Sequence, residues 1–219
     1  MVRMSRRTGS RRAAAGLLFV AAAVFFSFRH LDAPVARTVK AYLHANAPLA
    51  RATANIPDLL LLLVCVGTAV MWVDYFRQRR NGGSEIRQRF LRLAATATPA
   101  AFILKSILQG ICGRVKTRSW PASDAPPGFA WLSGDGGFPS GHMLVFTAFF
   151  TAIGRHYPRY RLPAAILLFL LAAALILTDY HFLSDVIAGA YLGFLVSAAA
   201  GRLLDHFPCP SAGGKSTGA

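Results

Sequence analysis

Six uninterrupted apolar stretches, Ala13–Phe28, Leu59–Phe76, Leu93–Cys112, Met143–Ile153, Ala164–Leu177 and Val186–Leu204, divide a chain of 219 residues. Such runs restrict the fold severely. A bilayer core offers no water to satisfy backbone N–H and C=O groups, so a segment crossing it must close its hydrogen bonds internally, as a helix does. A spanning helix needs about 20 residues; the shorter fourth run extends back to Ser140, and the sixth back to Phe182, with Asp185 the only charge added. The expected fold is therefore all-α: a polytopic membrane protein with six transmembrane helices in a bundle. A hydrophobic fraction of 54% and a mean hydropathy of +0.44 agree with that class rather than with a soluble domain.

The formal charge of +15 takes its meaning from where the cations fall. Arg3, Arg6, Arg7, Arg11 and Arg12 precede the first run, and Arg77, Arg79, Arg80, Arg87, Arg89 and Arg92 lie between the second and third. Arg155, Arg159 and Arg161 follow the fourth run, and Arg202 and Lys215 lie at or beyond the end of the sixth. These segments alternate to one side of the membrane, which the positive-inside rule makes cytoplasmic. Both termini are then inside, and loops 29–58, 113–139 and 178–181 face outward. The skew, together with attraction to anionic lipid headgroups, accounts for the charge without nucleic acid as a partner. The chain divides into a basic cytoplasmic N-terminus (1–12), a six-helix transmembrane domain (13–207) and a disordered cytoplasmic tail (208–219) rich in Ser and Gly. The first run also fits a secretory signal peptide, with its basic start and short apolar core. A weakly amphipathic pattern over Ala36–Leu43 predicts a short interfacial helix. Cys65, Cys112 and Cys209 show no ligand spacing and fall at different membrane depths, so neither a zinc site nor a disulfide framework is expected.

Three polar clusters mark the outer ends of the third, fourth and sixth runs. Lys105 stands inside an apolar run, where an ionisable group needs a partner or a wet cavity. Gln109 follows one turn later, and Arg114, Lys116 and Arg118 come next. Cations gathered on the face that otherwise avoids them suggest an anion site, with Arg able to fork onto phosphate oxygens. The second cluster, Phe138-Pro139-Ser140-Gly141-His142, reads as a helix start. Helix starts attract anions, Gly141 permits close backbone approach, Ser140 can donate a hydrogen bond, and His142 can transfer a proton near neutral pH. The third cluster sets His181 four residues before Asp185, so that on a helix the carboxylate would hold one imidazole nitrogen and leave the other as a nucleophile. Each cluster also has a plainer reading: a snorkelling lysine, an ordinary capped helix, a structural His–Asp pair. Their convergence on one membrane face favours a site. No HExxH, EF-hand or P-loop pattern is present, so no metal or cofactor is expected.

The clusters together resemble the type 2 phosphatidic acid phosphatase superfamily over about Leu104 to Gly193. That family carries a Lys followed by Arg-Pro, a Pro-Ser-Gly-His, and a Ser-Arg followed by His with Asp four residues on. The second motif is Pro139-Ser140-Gly141-His142, and the third keeps His181, Asp185 and Gly189. The first motif departs from the pattern: its Lys–Arg spacing is stretched and Arg-Pro is absent, so either Arg114 or Arg118 would supply the guanidinium. The third motif's Arg falls on Leu175. The resemblance implies a metal-independent phosphohydrolase of the bacterial inner membrane with its site facing outward, acting on a lipid phosphate monoester or polyprenyl pyrophosphate. His181 would be the nucleophile, His142 the proton donor and Asp185 the orienting carboxylate; Lys105, Arg114 or Arg118, Ser140 and Gly141 would hold the phosphate. A lipid phosphotransferase using the same intermediate and a non-catalytic phosphate-binding transporter or scaffold are the alternatives; oligomeric state is left open.

Overall fold

A computed structural model describes residues 2–46, 56–121 and 127–207. The tail beyond Phe207, expected to be disordered, lies outside the described residues, as does Cys209. Among the described residues, seven α-helices follow one another: α1 (Val2–Phe26), α2 (Asp32–Ala45), α3 (Ile56–Arg80), α4 (Glu85–Cys112), α5 (Gly141–His156), α6 (Arg161–Leu177) and α7 (Leu183–His206). Helices α1 and α3 to α7 contain the six apolar runs and form the transmembrane bundle. Helix α2 continues α1 through a π-helical stretch at Ser27–Leu31, so the predicted interfacial helix is not set off by a loop. Among the described residues, four segments are long and apolar enough to cross a membrane on their own: Ala14–Ala45, Glu85–Cys112, Pro158–Leu177 and Leu183–His206.

Helix length differs across the bundle. With its 16 residues, α5 is about 24 Å long at 1.5 Å per residue, short of a hydrocarbon core of about 30 Å. The 28 residues of α4 and 24 of α7 run past it. At the start of α5 the last turns of α4 pass by, Lys105 beside Gly141 and Gln109 beside Pro139, and the polar clusters gather there.

Small residues let the central helices approach. Ala94, Ala97 and Ala101 of α4 and Ala148 and Ala152 of α5 are wholly buried beside Leu93, Leu144 and Val145. On α7, Gly189, Gly193, Ser197 and Gly201 recur every fourth residue and are all buried. A Cβ built at Gly189 would lie 2.4 Å from the Ser140 carbonyl oxygen, and one at Gly193 2.2 Å from that of Leu144. The α5 and α7 backbones are therefore in direct contact, the packing that small residues at four-residue spacing allow in a membrane. This contact, strengthened by a 3.0 Å hydrogen bond from Ser140 N–H to the Asp185 carbonyl, holds the starts of α5 and α7 together.

Candidate active site

The segment after α4 turns back at once because Gly113 closes the helix in the left-handed region, at φ 53°. Arg114 then pairs antiparallel with Phe129, and Thr117–Ser119 form a short 3-10 turn. This segment, the start of α5 and the turn between α6 and α7 enclose a cavity of about 370 Å³. It lies at the end of the bundle opposite Arg155 and its ion pair with Asp205.

Three cations face this cavity: Lys105, Lys116 and Arg118. Lys105 runs along the start of α5, and a Cβ at Gly141 would meet its Cγ at 2.7 Å. A glycine is needed there for the lysine to pass. Gln109 donates to the Pro139 carbonyl at 3.0 Å and ties α4 to the turn before α5. Arg118 stacks over Tyr180, its Cζ 4.6 Å from the ring centroid, and Tyr180 packs edge-on against His142 at 5.2 Å. Lys116 pairs with Asp135 at 2.6 Å at the exposed rim. The hydrogen bond from Lys116 holds the Asp135 carboxyl below the usual carboxylate range. Asp135 has no helical register with His142 in the sequence, yet the fold brings it to the cavity.

The imidazoles of His142 and His181 stand with ring centroids 6.0 Å apart, both buried except toward the cavity. They do not come from equivalent positions. His142 is in the first turn of α5, whereas His181 precedes α7, which starts only at Leu183. His181 and Asp185 therefore do not share a helix face, as their spacing had suggested. Asp185 is instead the third residue of α7, and its Oδ2 accepts the Phe182 N–H at 3.2 Å as in a capping box. The same oxygen lies 3.6 Å from His181 Nδ1.

Two predicted phosphate contacts sit elsewhere. Ser140 is fully buried, and its hydroxyl caps α5 by accepting the Met143 N–H at 3.4 Å. Arg114 is 1% exposed. Its guanidinium donates to Asp32 at 2.6 Å, to Ser184 Oγ at 2.7 Å and to Asp185 Oδ1, among the rings of Phe28, Phe129 and Phe182 at 5.1, 5.3 and 4.5 Å. Both carboxylates are as buried as the guanidinium. Of the two arginines that sequence left open, only Arg118 faces the cavity. Leu175, where the family pattern has an arginine, is buried beside Met143 and Val186.

Lys40 of α2 pairs with Asp179 at 2.7 Å and reaches the Arg118 carbonyl at 3.4 Å. Burial pushes the Asp179 carboxyl up, against the opposing pull of Lys40. No sequence signal points to Asp32 or Lys40, since each acts across more than 70 residues.

If the cavity binds an anionic substrate, Arg118→Ala is expected to lower kcat/KM about 10- to 100-fold, as loss of charge-assisted hydrogen bonds worth about 1.5–3 kcal/mol implies. Thermal melting should barely move, because the side chain is exposed at the cavity mouth. Unchanged kinetics would remove Arg118 from the site.

The comparisons agree with this architecture. The family model described as the PAP2 superfamily matches residues 90–206. The solved structure of a transmembrane PAP2 type phosphatidylglycerolphosphate phosphatase from Bacillus subtilis is similar in fold at a TM-score of 0.51 and 19% identity, covering 87% of this chain and 93% of that one. No curated protein matches the sequence. A helical membrane bundle with the phosphatase motifs at one end, matched by the family model over more than half its length, places the chain in the PAP2 superfamily.

Proposed function

We propose that the protein hydrolyses a lipid phosphate monoester or a polyprenyl pyrophosphate at the outer face of the membrane, without a metal, through a phosphohistidine. The observation that carries this reading is the pair of imidazoles 6.0 Å apart across a cavity faced by three cations. A phosphoryl group held by the cations of the cavity would meet both rings, with its lipid tail left in the bilayer.

In the first step His181 Nε2 attacks phosphorus, an N–P bond forms, and the bond to the leaving oxygen breaks. Protonated His142 gives its proton to that oxygen. The phosphorylated His181 ring is cationic and keeps its Nδ1 proton, which Asp185 accepts as a hydrogen bond once the 3.6 Å separation tightens on substrate binding. In the second step neutral His142 takes a proton from water, the oxygen attacks phosphorus, and the N–P bond breaks to release inorganic phosphate. Lys105, Lys116 and Arg118 stabilise the equatorial oxygens, where catalysis of phosphoryl transfer is chiefly electrostatic. Asp135 gives up Lys116 to the incoming phosphate. The basic segments around Arg77–Arg80 and Arg155 lie at the other end of the bundle, and the positive-inside rule therefore turns the cavity outward.

The test is phosphate release by purified protein from polyprenyl pyrophosphate, phosphatidate, phosphatidylglycerophosphate and lipid A, with and without EDTA. Release from at least one lipid, unchanged by EDTA, is expected. Inhibition by EDTA would refute the metal-free chemistry, and no release from any of them would refute the hydrolase reading.

A further inference from the structure

We infer that Asp32, contributed by the junction of the first transmembrane helix with α2, is a positioning residue for the nucleophile: by sharing the Arg114 guanidinium, it leaves the Asp185 carboxylate negative toward His181. The inference rests on the phosphohistidine reading above.

The geometry has a simple charge count. Arg114 places Nη2 on Asp32 and Nη1 on Asp185. Ser184 links the three groups, accepting from Arg114 Nη1 at 2.7 Å while its hydroxyl and its N–H both donate to Asp32. One cation thus lies between two carboxylates, all of them sealed from solvent. Were Asp185 alone opposite Arg114, its charge would be fully answered, and little negative potential would reach the imidazole on its other side. With Asp32 present, the cluster carries a net −1 that the imidazolium, or the phosphorylated ring, neutralises. Ion pairs in a dry setting interact strongly, so the second carboxylate acts on His181 although it does not touch it.

The other groups around His181 do not substitute for it. His142 of α5, Lys105 of α4, and Lys116 and Arg118 of the connecting segment all add positive charge or none. On its own loop, Asp179 is answered by Lys40 of α2. Asp135, at the rim, is held by Lys116. Behind His181, only the Asp32–Arg114–Asp185 cluster brings negative charge to its Nδ1 side among the described residues.

The experiment compares Asp32→Asn with the wild type, using phosphate release from a lipid that the wild type hydrolyses. The variant is expected to lose about 10- to 100-fold in kcat, with KM changed less than about threefold, because the charge acts on the developing imidazolium rather than on substrate binding. The acidic limb of its kcat/KM profile should move about one pH unit lower, since a nearby negative charge favours the protonated ring and its removal disfavours it. A merely structural role would lower the yield or the melting temperature and leave that limb in place. Asp32→Ser serves as the companion: it removes the same charge but leaves a hydroxyl that can accept the Ser184 N–H, and it should move the limb the same way even if Asp32→Asn does not fold. An unmoved limb in the folded variants, or a loss confined to KM, would overturn the inference. Absence of phosphate release by the wild type would instead count against the hydrolase reading.

Discussion

Replacing His181 with alanine is expected to abolish phosphate release, with a loss of at least about 10⁴-fold, the scale on which removal of a covalent nucleophile acts. The bundle should survive the change. His181 is on a turn rather than in a helix, and its Nδ1 makes no hydrogen bond among the described residues, so its removal leaves no strong contact broken. His142→Ala removes a proton donor instead and should cost about 10² to 10⁴. Brief exposure to ³²P-labelled substrate followed by denaturation in alkali should trap label on the wild type and none on His181→Ala. Turnover by His181→Ala within tenfold of wild type would rule out the phosphohistidine.

The second large effect concerns stability. Arg114→Met leaves Asp32 and Asp185 buried with no cation between them, and breaking a buried ion network by removing one member costs about 3–5 kcal/mol. Loss of folded protein, or a much lower melting temperature in detergent, is the expected outcome. This separates two roles that sequence could not. An arginine on substrate phosphate would, when removed, weaken catalysis in a protein that melts normally, as expected of Arg118→Ala. Normal melting of Arg114→Met with a raised KM would show that Arg114 leaves its carboxylates for the substrate.

What the sequence made legible follows the range of the interactions. The helical bundle could be read from the apolar runs because each spanning helix satisfies its own backbone. The grouping of Lys105, Gly141, His142 and His181 around one cavity follows from alternation of the runs, which brings the ends carrying these residues to one end of the bundle. Ser140 and Asp185 were correctly located at helix starts, but their bonds depend on how α5 docks on α7. That docking is set by Gly189 and Gly193, whose significance appears only when a Cβ is tried against the α5 carbonyls. Arg114 and Arg118 were indistinguishable in a linear cluster of cations. What distinguishes them is Asp32, 82 residues before Arg114, and the Tyr180 ring under Arg118. Neither partner is near in sequence, so spacing could not assign the two arginines.

The buried carboxylate–guanidinium cluster also sets a timetable for biogenesis. Asp32 precedes Arg114 by 82 residues, and Arg114 precedes Asp185 by 71. At about 5–20 residues per second of synthesis, the first carboxylate leaves the ribosome several seconds before its cation, and the cation several seconds before the second carboxylate. During that interval the nascent chain carries ionisable groups destined for a dry interior, and these must stay in water or in the translocation channel. The last helix therefore does more than complete the bundle. Its arrival delivers Asp185, the second carboxylate of the cluster, so a translation product stopped before α7 holds the Asp32–Arg114 pair and His181 but lacks the carboxylate beside that imidazole.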